Sequence, residues 1–87
     1  MTELIDLPNI GTTLVQKLEE VGVLSAEQLK EIGSEQVFIR LQAVDPGACY
    51  NQLCALEGAV QNIRWHGLSQ ERKNELKEFF QMSRRVL

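Results

Sequence analysis

The stretch of this 87-residue chain whose residue types best suit chemistry is LPNIGTTLVQK, from Leu7 to Lys17. A proline and a glycine bracket a short apolar turn, and an amphipathic segment follows. A turn of this kind that leads into a helix points unpaired backbone N–H groups and the positive end of the helix dipole at one place, which suits a phosphate. The same residues equally fit a tight corner between two packed helices, so both interpretations stay open.

Catalytic and metal chemistry have little support in the sequence. The single histidine, His66, has no serine or cysteine at a spacing that suggests a base-activated nucleophile. Cys49 and Cys54 fall five residues apart in one predicted helix, where their side chains diverge by about 140°. We expect them to be buried, reduced thiols that do not pair. Because no CxxC or HxxxH spacing occurs, we expect no metal site. No glycine-rich nucleotide loop or paired-carboxylate motif occurs either, so we expect no cofactor and no enzymatic activity.

Charge is unevenly distributed along the chain, whose net charge is −3. Residues 1–63 carry three basic residues against nine acidic ones, and residues 64–87 carry six basic residues against three acidic ones. This asymmetry fits either a binding face or an ordinary solvated helix. The candidate basic face consists of Arg64, Arg72, Lys73 and Lys77.

The hydropathy pattern excludes two further classes of protein. No apolar run approaches the roughly 20 residues that a membrane helix needs. The acidic, polar start MTELIDLPN is unlike a secretory signal, so we expect a cytoplasmic location and no membrane partner.

Helix start and stop signals recur along the chain, and no useful stretch alternates with period two. Helices are predicted at residues 11–21, 26–32, 35–43, 46–64 and 70–85. Predicted N-cap residues are Ser25, Ser34, Asp45 and Ser69. Gln28 completes a capping box with Ser25, and Pro46 suits the first helical position after Asp45. The sequence therefore predicts one compact all-α domain of five helices over residues 1–87.

The fourth predicted helix is expected to be the most buried. Its apolar seam consists of Cys49, Leu53, Leu56, Val60 and Ile63. A glycine inside a helix costs roughly 1 kcal/mol against alanine, so Gly58 indicates close packing. Glu57 is expected to be a structural partner of Arg64 or Arg40. Trp65 is expected to cover the core, and His66 to satisfy a helix C-terminus.

The motif Leu7-Pro8-x-Ile10-Gly11, followed by Leu18 and Gly22-Val23-x-Ser25, resembles helix-hairpin-helix (SAM-like) domains. The resemblance implies that the hairpin offers its backbone N–H groups to a DNA phosphate. Two features depart from that family's pattern: Asn9 stands in place of a glycine, and Lys17 lies a full turn into the helix. A similar pattern recurs at Gly33. The candidate phosphate contacts are Asn9, Ile10, Gly11, Thr12, Thr13, Lys17, Gly33 and Ser34.

A longer resemblance covers residues 4–80. LPNIG, then VGVLSAEQLKEIGS and LCALEGAVQNIRWHGLSQERKNELKEFF, are similar to the C-terminal domain of the TfoX (Sxy) competence regulators. The most specific block is LEGA followed by IRW. The resemblance implies a bacterial, cytoplasmic, non-enzymatic domain that takes part in transcription regulation alongside another transcription factor.

Two functional hypotheses follow. The first is a regulatory module that makes weak, sequence-independent contact with DNA through one or both hairpins. The second is a protein–protein interaction module without direct DNA binding, whose partner is a transcription component or a second copy in a homodimer. Clustering of the basic residues beside the hairpin would favour the first hypothesis.

Overall fold

The computed structural model describes residues 2–86 and contains five α-helices joined by short connections. The helices are α1 (Thr12–Glu20), α2 (Ala26–Ile32), α3 (Ser34–Val44), α4 (Tyr50–Gln61) and α5 (Gln70–Val86). Short 3₁₀ turns at Leu4–Asp6 and Trp65–Gly67 precede α1 and α5. Residues 2–86 contain no strand, so the predicted all-α class is confirmed. No helix in this range is long and apolar enough to cross a membrane.

Local capping signals place α2 and α5 where the sequence predicted them. The Gln28 backbone N–H donates to Ser25 Oγ over 3.2 Å, and the Arg72 N–H donates to Ser69 Oγ over 3.1 Å. The Gln28 side chain accepts a hydrogen bond of 2.7 Å from the Leu24 N–H, one residue earlier than a standard capping box requires. Each of these bonds joins residues at most four apart, which is why the sequence reveals them.

Two predicted helix starts are wrong. The N-cap of α3 is Gly33, at φ +93°, and Ser34 is the first helical residue with its hydroxyl turned elsewhere. The helix predicted from Pro46 begins only at Tyr50. The Asp45 carboxylate instead accepts from the Gly47 N–H at 2.9 Å and from Lys17 Nζ at 2.6 Å. These two bonds hold Asp45 in a loop.

The fourth helix also ends earlier than predicted. Asn62 follows Gln61 in the left-handed conformation, at φ +61°, and its N–H bonds to the carbonyls of the last turn. The predicted seam therefore loses both ends, since Cys49 precedes α4 and Ile63 follows it. Both of these residues are exposed, whereas Leu53 and Leu56 are fully buried.

The hydrophobic core lies around α4, as predicted. This helix contributes six buried residues, more than any other helix within residues 2–84: Leu53, Cys54, Leu56, Glu57, Gly58 and Ala59. Phe38 of α3 and Leu76 of α5 are fully buried beside it. The helix therefore forms the centre against which two hairpins pack. The first hairpin consists of residues 7–11 and the start of α1, and the second consists of the turn at Gly33 between α2 and α3.

Candidate functional site

The first hairpin is held in place by apolar anchors on both sides of a left-handed residue. Leu7 and Ile10 are each 6% exposed and belong to the core. Asn9, between them, has φ +70°, a conformation that asparagine tolerates better than most side chains. Gly11 has ordinary extended backbone at φ −104°, and an added Cβ there would meet nothing within 4 Å. The turn therefore survives the replacement of the family's first glycine by Asn9.

The Asn9 side chain clamps the hairpin to the connection after α4. Its Nδ2 donates to the Ile63 carbonyl over 2.9 Å, and its Oδ1 accepts from the Trp65 N–H over 3.2 Å. Gly58 makes this approach possible, because an added Cβ would lie 2.5 Å from Asn9 Nδ2 and 2.8 Å from the Ile63 carbonyl oxygen. The predicted packing reason for Gly58 is confirmed. The sequence predicts a phosphate contact for the backbone N–H groups around Asn9, but it does not reveal that the Asn9 side chain forms this clamp.

The clamp also fixes the position of Arg64. Its two chain neighbours, Ile63 and Trp65, are the residues that bond to Asn9, so the backbone of Arg64 lies beside the hairpin. The Arg64 side chain is exposed. Lys17 is less available than Arg64 to bind an anion, because its ammonium lies 2.6 Å from the Asp45 carboxylate. That contact lowers the pKa of Asp45. Arg64 is thus an exposed basic residue whose backbone lies next to the residues that bind Asn9.

A shallow groove of about 390 Å³ opens between the N-termini of α1 and α4. Gly11, Thr12 and Thr13 lie on one side, and Cys49 and Asn51 on the other. These five residues are all exposed. Neither N-cap, Gly11 or Cys49, makes a side-chain capping bond, and neither helix has an acidic residue in its first turn. Both positive helix ends therefore face one groove without a counter-charge of their own.

The second hairpin is closed by the protein's own carboxylates. Ser34 is only 3% exposed, and its hydroxyl donates to Glu57 Oε1 over 2.6 Å. The Arg72 guanidinium binds Glu57 at 3.0 Å, Glu35 at 3.2 Å and Glu75 at 3.0 Å. The Ser34 hydroxyl is therefore engaged within the protein, and negative charge surrounds it.

Arg72 and Glu57 stabilise each other's charged forms. Burial raises the pKa of Glu57, but hydrogen bonds from Arg72, Ser34 and Gln61 outweigh it and hold that pKa below its ordinary value. The hydrogen bond to Glu57 raises the pKa of Arg72. The prediction that Glu57 has a structural role is confirmed, but the predicted partners, Arg64 and Arg40, are wrong. Arg72 is correspondingly not a free cation of the predicted basic face.

The remaining residues of that face lie on α5. Lys73 is half-buried, and its carbonyl accepts the Tyr50 hydroxyl over 3.0 Å. Burial raises the pKa of Tyr50 to about 12. Lys77 is exposed. Of the four predicted residues, Arg64 and Lys77 are thus exposed, Lys73 is half-buried and Arg72 is paired with carboxylates.

The two cysteines have different environments. Cys54 is buried, as predicted, and burial raises the pKa of its thiol. Cys49 is exposed at the N-cap of α4, so the prediction that it is buried is wrong. Both thiols are free. Residues 2–84 bring together no group of three or more ligating side chains for a metal ion.

Trp65 and His66 lie in the 3₁₀ turn before α5. Trp65 is half-buried against the core, which confirms its predicted covering role. His66 is exposed and stacks on Trp65 with the ring centroids 4.0 Å apart. The prediction that His66 satisfies a helix C-terminus is wrong, because α4 already ends at Gln61.

Comparison with known proteins places this arrangement in a family. The family described as the TfoX C-terminal domain matches residues 1–80. The chain belongs to the TfoX C-terminal domain family. A curated relative, the DNA transformation protein TfoX of Haemophilus influenzae, is 33% identical over 76 residues, which cover 87% of this chain. The chain spans only about a third of that relative, 35% of its length.

Two solved structures share the fold of this TfoX C-terminal domain. One is a crystal structure of an uncharacterized protein from Listeria monocytogenes in a triclinic form. It has a TM-score of 0.91 and 47% sequence identity, and the match covers 93% of this chain and 92% of that one. A tetragonal form of a Listeria monocytogenes protein of unknown function has a TM-score of 0.89 and 48% identity, with coverage of 92% and 99%.

Proposed function

We propose that this TfoX C-terminal domain is a non-enzymatic regulatory module that contacts the DNA backbone through the groove at the first hairpin. The observation that carries the proposal is the convergence of the α1 and α4 N-termini on one groove, where Asn9 bonds to both chain neighbours of Arg64. Backbone N–H groups at a helix N-terminus, together with the dipole, suit a phosphate oxygen. The name of the Haemophilus influenzae relative is consistent with a role connected to DNA.

The proposed contact is sequence-independent and weak. Backbone N–H groups and the hydroxyls of Thr12 and Thr13 reach phosphates but do not read bases. Affinity for DNA comes largely from neutralised phosphates, and Lys17 and Arg72 are already paired with carboxylates. We therefore expect a dissociation constant of about 10⁻⁵–10⁻⁴ M near physiological salt.

Only the first hairpin takes part in this proposal. At the second hairpin, the Ser34 hydroxyl donates to Glu57, and Arg72 forms ion pairs with both Glu57 and Glu35. A phosphate placed there would meet two carboxylates before it met the helix N-terminus. In this proposal Gly33 and Ser34 therefore have a structural role and do not contact DNA.

The test is fluorescence anisotropy with a labelled duplex, titrated at about 50 mM and about 200 mM salt. The decisive variant is Gly11→Asp. Its Cβ has free space and its backbone is extended, so the aspartate caps α1 but places a negative charge where the phosphate would bind. Gly11→Ser is the matched control, because serine also caps the helix and adds no charge.

We expect Gly11→Asp to weaken binding by about tenfold or more at the lower salt. Gly11→Ser should have a much smaller effect. Arg64→Gln should reduce the slope of log affinity against log salt by about 1, whereas Lys30→Gln, an exposed lysine outside the groove, should not. No binding at the lower salt, or equal losses in Arg64→Gln and Lys30→Gln, would refute the proposal.

A further inference from the structure

A second surface lies where the N-terminal segment crosses α1. A notch of about 240 Å³ opens there between the first 3₁₀ turn, α1 and the connection to α2. It is lined by Glu3, Leu4, Ile5, Val15, Glu19 and Leu24. Leu24 is 62% exposed and Ile5 is 46% exposed, so the fold brings together two large apolar side chains that remain open to solvent. None of these six residues lines the groove at the first hairpin.

The exposure of Leu24 departs from the local rule for its position. It directly precedes the N-cap Ser25, where an apolar residue commonly packs against the fourth residue of the helix, here Leu29. Leu29 is fully buried in the core, yet Leu24 projects into the notch. Its backbone is nevertheless fixed, because its N–H donates to Gln28 Oε1 over 2.7 Å. The Leu24 side chain is thus exposed to solvent on a backbone whose position is fixed by a hydrogen bond.

The N-terminal segment beside the notch is tied down as well. The Thr2 carbonyl accepts from the Ala26 N–H over 3.0 Å, and the Thr2 N–H donates to the Glu27 carboxylate at 3.0 and 3.2 Å. The hydrogen bond from the Thr2 N–H lowers the pKa of Glu27. Because Ile5 is held against α1 in the free protein, a partner would pay little ordering entropy on binding there.

The charges around the notch are acidic. Glu3 and Glu19 line it, and neither forms an ion pair with another residue of the described part of the chain. Residues 2–27 contain five acidic residues and one basic residue, Lys17, whose charge is taken up by Asp45. The surface therefore offers apolar contact within a negative field, and its complement is an apolar surface with basic residues around it.

We propose that this notch docks a basic amphipathic helix of a protein partner. An amphipathic helix presents apolar anchors at i, i+3 and i+4, with its polar residues beside them, which matches two apolar side chains flanked by glutamates. An extended peptide would find no sheet edge to join, since residues 2–86 contain no strand. The surface is small, so the expected dissociation constant is about 10–100 μM.

The test uses a fluorescent leucine–lysine amphipathic helix of about five turns as the probe. Wild-type protein should bind it, and Leu24→Ser and Glu19→Lys should each weaken binding by about tenfold. The chain supplies matched controls. Met82 is also 62% exposed, and Glu78 is an exposed acid on α5. Met82→Ser therefore replaces an equally exposed apolar side chain by serine, and Glu78→Lys reverses a charge, both away from the notch. Circular dichroism checks that each variant is folded.

Each outcome bears directly on the proposal. Binding that depends on Leu24 and Glu19, but changes less than about twofold in the two control variants, supports it. A wild-type protein that does not bind the probe overturns it, as do equal losses in the notch and control variants, which would indicate general attraction to an acidic protein. A leucine–glutamate helix that binds equally well also overturns it. A concentration-dependent dimer abolished by Leu24→Ser would make a second copy the occupant and overturn the basic-helix proposal.

Discussion

Replacing Gly58 by alanine should loosen the clamp between the first hairpin and the connection after α4. The added Cβ would lie 2.5 Å from Asn9 Nδ2, 2.8 Å from the Ile63 carbonyl oxygen and 3.1 Å from Trp65 Cα. Two of these three neighbours are backbone atoms, so a side-chain rotation cannot relieve the overlap. Overpacking of this kind costs about 1–3 kcal/mol, and each lost hydrogen bond of Asn9 costs about 1 kcal/mol more.

The gain in helix propensity offsets about 1 kcal/mol of this cost. We therefore expect the free energy of unfolding to fall by about 2 kcal/mol, which for a domain of this size lowers Tm by about 8–16 °C. Urea unfolding followed by circular dichroism measures the change. Gly11→Ala is the matched control, because an added Cβ there meets nothing within 4 Å, and its change should stay within about 0.5 kcal/mol.

A double-mutant cycle separates the clamp from general overpacking. In an Asn9→Gly background the left-handed turn is kept, but the closest atom to the new Cβ, Asn9 Nδ2, is absent. The cost of Gly58→Ala should then shrink by about 1 kcal/mol. If Gly58→Ala is as stable as the wild type, or costs the same in both backgrounds, the reasoning about the clamp is refuted.

Three further predictions concern the ion pair of Glu57 with Arg72, the two thiols and the left-handed residue that ends α4. Glu57→Gln should lower the free energy of unfolding by about 2 kcal/mol near pH 7. Because the pKa of Glu57 is depressed, its stabilisation is present above the unfolded-state pKa and is lost as pH falls through the folded-state pKa. The difference between variant and wild type should therefore narrow at about pH 3 in urea titrations, and an equal difference at both pH values would contradict this. Cys49 should react with a thiol reagent in the native protein, whereas Cys54 should react only in denaturant. Intact-mass spectrometry counts the labels, and labelling of both thiols in the native protein would contradict the burial of Cys54. Asn62→Ala should lower the free energy of unfolding by about 1 kcal/mol, as measured by thermal unfolding, whereas Asn62→Gly should not lower it, because only glycine adopts the left-handed backbone without strain. Equal stabilities of the two variants would contradict the left-handed conformation of residue 62.

The elements that could be predicted are those specified by neighbouring residues. The bounds of α2 follow from Ser25, Gln28 and Gly33, and the structure has them at the predicted positions. A glycine inside an otherwise favourable helix likewise indicated the close approach at Gly58. Its cost in helix propensity is local, so it is visible in the sequence, although the atoms that require it are not.

The elements that were mispredicted have partners far away in the chain. Ser34 and Asp45 are both good N-cap residues by type, but neither caps the helix assigned to it. The Ser34 hydroxyl bonds to Glu57, 23 residues away, and Asp45 bonds to Lys17, 28 residues away. A side chain that can satisfy a helix end can equally satisfy a distant group, and only the packed fold decides between them.

The sequence by itself determined the all-α class and the central position of α4, because periodic apolar residues and short-range caps act within a few residues of each other. The family was indicated separately, by the motifs LPNIG, LEGA and IRW. Tertiary structure alone decided which hairpin has a helix N-terminus that is accessible to a phosphate. Both hairpins carry a glycine before a hydroxyl residue, but Glu57 and Arg72 close the one at Ser34, and Asn9 turns inward at the other and leaves Thr12 exposed. Charge counts could not show this, since the availability of a cation depends on the carboxylates that folding brings within hydrogen-bond distance.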